Sequence, residues 1–230
     1  MLLETVGTYL VPLGQGAVWT LGLFFCSAFL AIGLGLITCF ARLSDIKWLR
    51  AIAKTYIEII RGTPLLVQLF FIYYGLAEVG IVMSGFVAGT LGLSLNFGAY
   101  LAELFRGGVQ SVDSGQHEAS RALGLSTLQR LRVIIVPQAA RAIFPALGNY
   151  ALVLIKETSL VAVISVSELM RAGEMLAAST FKSLLVYTLV GAIYFVMCSV
   201  LAYLFRRGET ILTVPGYWDG ASENNDFSKA

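Results

Sequence analysis

The sequence predicts an all-α integral membrane protein whose chain crosses the bilayer five times. Hydrophobic residues make up 57% of the 230-residue chain and charged residues only 13%, where a soluble domain carries about a quarter charged residues. The mean hydropathy is +0.80. The charges fall in the gaps between apolar runs, and a run of about 20 apolar residues is what a helix needs to cross hydrocarbon. The length suits one domain, with residues 1–207 in the membrane unit and a polar tail over residues 208–230.

The first span is read at residues 16–40, inside an uncharged stretch from Thr5 to Ala41. Met1–Gln15 has no basic residue to make a cleavable leader, so this span is expected to act as the insertion signal. Arg42, Asp45, Lys47, Arg50 and Lys54 follow. The second span is read at 55–76, interrupted by Glu58 and Arg61 and bent or broken at Pro64. The third is read at 81–102. The fourth runs over 142–166 with Pro145 in its first turn. A linker holding Glu168, Arg171, Glu174 and Lys182 leads to the fifth, at 183–205. Ser222–Ala230 is expected to be disordered. Cys26, Cys39 and Cys198 sit in apolar runs without metal-ligand spacing and read as buried free thiols.

Most of the 16 lysines and arginines fall in the Arg42–Lys54 loop, the Arg106–Arg141 region and the tail from Arg206. Five spans put these on one side, against Arg171 and Lys182 on the other. The positive-inside rule then places the N-terminus outside and the C-terminus in the cytoplasm.

Between the third and fourth spans lies the longest stretch unfit for hydrocarbon, Gly115–Pro137, with His117, Glu118, Arg121, Arg130 and Arg132. Ala119, Ala122, Leu123, Leu125, Leu128 and Leu131 recur at helical spacing. Gly124 interrupts the helix, Ser126 reads as the N-cap of a second, and Pro137 closes the stretch. The pattern predicts two short helices forming a cytoplasmic knob. Such a knob serves either as a handle for a partner or as an amphipathic helix resting on anionic headgroups. His117 has no clustered ligands and reads as a solvated residue, not a metal site.

Glu118-Ala119-Ser120, then Gly124, Ile134 and Val136-Pro137 at the intervening gaps of three, nine and one residues, resembles the "EAA" loop of bacterial ABC-importer permeases. Ser120 replaces an alanine and Val136 a leucine. Arg61-Gly62-Thr63-Pro64 and Ile155-Lys156-Glu157-Thr158-Ser159-Leu160 look like segments of the polar amino-acid uptake branch of that family. The resemblance runs from the first span to Arg207. It implies the type I ABC importer permease fold, with five transmembrane helices and a cytoplasmic coupling helix in the bacterial inner membrane. It further implies a second permease subunit, identical or paralogous, and an extracytoplasmic solute-binding protein that delivers an amino acid. A dimer of ATP-hydrolysing subunits would bind ATP and Mg and grip Glu118, Ala119, Arg121, Leu123, Gly124 and Leu128. No cofactor is expected in this chain itself, no nucleic acid as partner, and membrane lipid all around it.

Ionisable groups deep in a bilayer usually face a cavity or a partner. Lys156 and Glu157 lie about 22 Å along a helix past Arg141 at 1.5 Å per residue. Glu157 is expected to meet an amino-acid ammonium or cationic side chain, and Lys156 a carboxylate. The alternative is an ion pair between helices, with Glu103 as the partner. Thr158 and Ser159 belong to the same candidate site. Pro64 lacks an N–H, which frees the carbonyl of Ile60 and suggests that the break faces the pathway. Thr63 and Gln68 then supply hydrogen bonds to solute or glue neighbouring helices together. Arg61 reads as paired with Glu58 or snorkelling to the cytoplasmic interface. Asn96, Tyr100 and Glu103 form one stripe on the third helix, either lining a cavity or bonding helices. Without a Walker phosphate loop or a nucleophile motif the chain is not read as an enzyme.

Overall fold

The structure is a computed structural model that describes residues 2–212, and among these every regular element is helical. The first helix, α1 (Leu2–Leu43), is followed by α2 (Lys47–Arg61) and α3 (Leu65–Glu78). Next come α4 (Gly85–Gln110), a short α5 (Ser114–Ala122) and α6 (Thr127–Ile164). The order closes with α7 (Leu169–Thr180) and α8 (Ser183–Leu212). α1, α4, α6 and α8 are long and apolar enough to cross a membrane, and α2 with α3 makes a fifth crossing if the bent pair is one span.

Several boundaries differ from the sequence reading. The second span is two helices at 105°. The third begins at Gly85, where Ser84 caps it by accepting the Val87 N–H. The fourth span and the second knob helix are one element, so Pro137 does not close the stretch. A π turn over Leu131–Ile135 precedes it, and Pro137 then stands in the first turn of the segment that starts at Val136. A proline is tolerated where the N–H has no obligatory partner, and a wider turn upstream makes that possible. Pro145 lies inside this helix instead of opening it. α8 continues through Gly208 to Leu212, and the rest of the tail, with Ser222–Ala230, lies outside the described residues.

The core lies where α1, α4 and α6 meet. Leu23, Phe24 and Ala31 pack on Leu93, Phe97 and Leu101, with Leu154, Ile155 and Val161 behind them. Small residues let these helices approach closely, as membrane helices require when lipid is as apolar as leucine. A Cβ on Gly35 would sit 2.9 Å from Leu101 Cβ, and one on Gly16 would sit 2.8 Å from the α carbon of Leu169.

The expected linker after Ile164 is ordered. Ser165 takes a left-handed conformation (φ 65°) that turns the chain. Glu168 then caps α7 and is fully buried. Its Oε1 accepts the Arg171 N–H at 2.7 Å, and its Oε2 accepts the Met170 N–H at 2.9 Å and the Tyr194 hydroxyl at 2.9 Å. Thr20 Oγ1 adds a longer bond to Oε2 at 3.4 Å and accepts the Leu169 N–H at 3.1 Å. One carboxylate thus ties α1 and α8 to the start of α7. Burial holds the Glu168 carboxyl above the ordinary carboxylate range, and these hydrogen bonds pull the other way.

Replacing Glu168 by Ala orphans buried donors on three helices, and is expected to destabilise the fold by about 3 kcal/mol. Arg171→Ala, which removes a surface pair with Glu174, should change stability by no more than about 0.5 kcal/mol. Thermal unfolding in detergent separates the two. Gly16→Ala must displace backbone and should cost about 1–3 kcal/mol in the same assay.

Candidate functional site

The break between α2 and α3 shapes the site. Gly62 N–H still reaches the Glu58 carbonyl at 2.9 Å, but the next turn cannot form because Pro64 has no N–H to give. The two carbonyls that lose their helical donors are recovered by side chains. Thr63 Oγ1 donates to the Ile59 carbonyl at 2.9 Å. Gln68 Nε2 donates to the Ile60 carbonyl at 2.8 Å and lies 3.0 and 2.9 Å from Thr63 O and Oγ1. Asn96 Nδ2 then donates to Gln68 Oε1 at 3.1 Å, fastening the break to α4. Gln68 is buried. Its amide is committed to backbone, so it acts as the staple of the break.

This fold of the backbone walls a cavity of about 710 Å³. Arg61, Thr63, Asn96, Tyr100, Tyr150 and Glu157 supply its polar lining, and Phe97, Val153 and Leu160 part of its apolar wall. Tyr150, Val153, Glu157 and Leu160 recur at helical spacing and project from one side of α6. The Arg61 guanidinium stands 5.1 Å from the centre of the Tyr100 ring, a cation–π contact that holds it over the cavity. Tyr100 lies ten residues before the end of α4, about 15 Å of helix. The cavity therefore brings one cation and one carboxylate together well inside the membrane unit.

The expectation for Arg61 is corrected by this arrangement. Its proposed partner Glu58 pairs with Lys54 instead, at 3.5 Å, and Arg61 lines the cavity. Glu103, the proposed partner of the deep charges, is bound elsewhere. Arg106 holds it at 2.6 Å and Arg42 at 3.5 Å, which locks α1 to the far end of α4. Of the α4 stripe, Asn96 and Tyr100 line the cavity and Glu103 does not.

Lys156 and Glu157 diverge, as neighbours about 100° apart on a helix must. Glu157 faces the cavity. Lys156 is exposed on another side. Thr158 is fully buried and its hydroxyl donates to the Ile155 carbonyl at 2.7 Å. Ser159 is half-buried in the 3₁₀ turn that follows. Two polar lining residues lie outside the site expected from the sequence. Arg61 reads there as paired with Glu58 or snorkelling to the interface. Tyr150 was overlooked, although it precedes Glu157 by seven residues, two helical turns, which puts both on one face.

The second candidate surface is the knob. Asp113 caps α5 by accepting the Gly115 N–H at 2.7 Å. Gly124 adopts φ +73°, a left-handed turn that suits glycine. Leu125 N–H then reaches back to the Ser120 carbonyl at 3.1 Å and Gly124 N–H to that of Arg121 at 2.9 Å, the closing pattern of a helix C-terminus. Ser126 and Gln129 form a reciprocal capping box that starts α6. Ser120 is buried, with its hydroxyl on the His117 carbonyl at 2.8 Å. Gln138 bonds Gln116 at 3.3 Å and ties the knob to α6. Leu123 and Leu128 are 76% and 75% exposed, and Glu118, Ala119 and Arg121 are exposed beside them. Of the apolar stripe, Leu123 and Leu128 point outward, while Leu131 packs against Val112, Ile135 and Ala139.

Comparison with known proteins places these features. Residues 31–208 match the family described as "Binding-protein-dependent transport system inner membrane component". The probable amino-acid ABC transporter permease protein YckA of Bacillus subtilis (strain 168) is 42% identical over 188 residues, 82% of this chain and 83% of that protein. The glutamine transport system permease protein GlnP of Escherichia coli (strain K12) is 38% identical, covering 85% of this chain and 90% of that one. Among solved structures, an amino acid ABC transporter crystallised with histidines matches with a TM-score of 0.86 and 38% identity over 90% of this chain and 97% of that one. An inward-facing MetNI methionine ABC transporter shares the fold, with a TM-score of 0.72 at 20% identity over 88% and 96% of the two chains. The elbow, the broken second span and the family match over most of the chain agree, and the protein belongs to the binding-protein-dependent transport system inner membrane components, the multi-pass permease subunits of ABC transporters.

Proposed function

We propose that this chain is the permease subunit of an ABC importer that moves a polar amino acid across the inner membrane, and that the cavity at the α2–α3 break is the station where the solute is held. The observation that carries the reading is the presence of both Arg61 and Glu157 in the lining of one cavity. An α-amino acid is a carboxylate and an ammonium on adjacent carbons. A guanidinium steered by Tyr100 suits the carboxylate, because its planar fork offers two parallel donors. Glu157 suits the ammonium. Lys156, expected to meet the carboxylate, is turned away, and Arg61 takes that part. Glu157 alone favours a cationic solute. With Arg61 beside it the charges of the lining residues cancel, which favours a zwitterion with a neutral polar side chain. Thr63 and Asn96 offer polar edges to that side chain, while Thr158 and Gln68 hold the cavity's shape.

The knob is the second half of the mechanism. Exposed Leu123 and Leu128, flanked by Glu118 and Arg121, suit insertion into an apolar groove with a charged rim on an ATP-hydrolysing subunit. The subunit would carry the ATP and Mg. α6 is continuous from the knob to the Glu157 turn, so a displacement of the knob moves the cavity wall as one body. A second permease subunit completes the path, and a solute-binding protein delivers from the side opposite the knob. The basic residues put the knob and the C-terminus in the cytoplasm.

Glu157→Gln and Arg61→Gln are each expected to lower uptake at least tenfold in proteoliposomes carrying the partner ATPase and binding protein. Loss of a charge-assisted bond is worth about 1.5–3 kcal/mol, and 1.4 kcal/mol is tenfold. Unchanged uptake in both variants removes the cavity from the path. Leu123→Asp with Leu128→Asp should abolish co-purification of the ATPase while leaving permease unfolding unchanged, since both side chains are solvent-facing. Retained ATPase sinks the docking role of the knob.

A further inference from the structure

A second cavity lies on the other side of the same wall. It is a groove of about 220 Å³ between α1, α4, α6 and α8, lined by Phe24, Ala28, Leu101, Ala151, Leu154 and Phe205 among others. Tyr150 carries the sole polar side chain among its lining residues. Water there would lack the two to four polar partners it needs, and apolar cavities of about 150 Å³ already stay dry and take up small hydrocarbons. Phe25 and Ile32 flank its mouth and are 63% and 37% exposed, so it opens on the surface that meets the bilayer. A helix about 10 Å across fills roughly 420 Å³ in one 5.4 Å turn, too much for this groove. An extended hydrocarbon chain is the shape that fits.

The end of the groove on the knob side has a charge signature. Phe205, which stacks on Phe144 with ring centres 5.5 Å apart, is followed directly by Arg206 and Arg207. Both are exposed. Arg207 donates to the Tyr203 hydroxyl at 3.0 Å and stands 5.2 Å from that ring's centre, which fixes it at the outer surface of α8. A tail in the groove would leave its headgroup at this basic step, where each arginine adds attraction to an anionic surface. We propose that the groove is a binding site for one acyl chain of an anionic phospholipid from the leaflet on the knob's side, with its phosphate at Arg206 and Arg207.

The site has a consequence for transport, which rests on the proposed solute cavity. Phe97 and Tyr150 line both the groove and the polar cavity. A bound tail therefore backs the wall that presents Tyr150 to solute. An empty groove leaves that wall without packing on one side, and side chains without partner atoms lose contact energy and order.

The test uses the assembled transporter purified in mild detergent, with retained lipid quantified by mass spectrometry against permease. Wild type is expected to keep phosphatidylglycerol in preference to phosphatidylethanolamine. Ala151→Leu with Ala28→Leu fills the groove and should lower retained lipid at least fivefold. Arg206→Gln with Arg207→Gln should keep the tail but lose the preference for phosphatidylglycerol. A photoactivatable acyl-chain phosphatidylglycerol should label the peptides around Phe24–Ile32 and Leu201–Phe205 in wild type, which tests the site without any variant. Labelling spread evenly over all spans, or lipid retention unchanged by filling the groove, overturns the proposal. Disulfide formation between two Ala28→Cys chains would assign the groove to a second copy and overturn it equally. Uptake separates this site from the solute reading. If lipid binds as described but phosphatidylglycerol leaves the uptake KM unchanged, the groove stands and its link to the solute cavity falls.

Discussion

The structure depends on the satisfaction of backbone in hydrocarbon. A helix broken inside a membrane exposes carbonyls that have no water to turn to, and each unsatisfied group is worth several kcal/mol. Here Pro64 makes the break unavoidable, and two side chains repair it: the Thr63 hydroxyl on Ile59 and the Gln68 amide on Ile60. Because Gln68 also accepts from Asn96, the repair fixes where α3 sits on α4. The 105° bend then has only one way to lie. The cavity, the position of Arg61 and the opening toward Glu157 all follow from it.

Charge placement obeys the same economy of partners. Glu103, Arg106 and Arg42 form a closed cluster, and Glu168 is enclosed by donors from its own helix start, from Thr20 and from Tyr194. These groups pin helices together and line neither of the two cavities described above. Arg61 and Glu157 differ. Arg61 has an aromatic face for company, and both line open volume. Glu103 and Glu168 have their partners already in place, which sets them apart from the two charges we propose to meet solute.

The knob and the cavity share one continuous element. α6 carries Leu128 near one end and Glu157 near the other, interrupted by a π turn and ended by a 3₁₀ turn. Such irregular turns mark places where a helix changes direction or pitch. Phe97 and Tyr150 line both the polar cavity and the apolar groove, so one wall separates the two.

The sequence alone determined the membrane class, the approximate spans, the glycine turn at Gly124 and the Ser126 cap. Each of these follows from local composition or from the stereochemistry of one residue. It also located the break at Pro64 and the freed Ile60 carbonyl, because a missing N–H is a local fact. What it could not settle was pairing. Spacing offered Glu58 to Arg61 and Glu103 to the deep charges, whereas Glu58 pairs with Lys54 on its own helix and Glu103 with Arg106 on its own helix and with Arg42 across the α1–α4 contact. Gln68 reads from sequence as either a solute ligand or helix glue, and the fold brings the broken turn and Asn96 within reach of its amide. Glu168 looked like part of a loop until α1 and α8 closed over it. Tertiary structure decided these because a polar side chain near a membrane core takes whichever partner is left unsatisfied within reach, and for Glu168 those partners, Thr20 and Tyr194, lie far away along the chain.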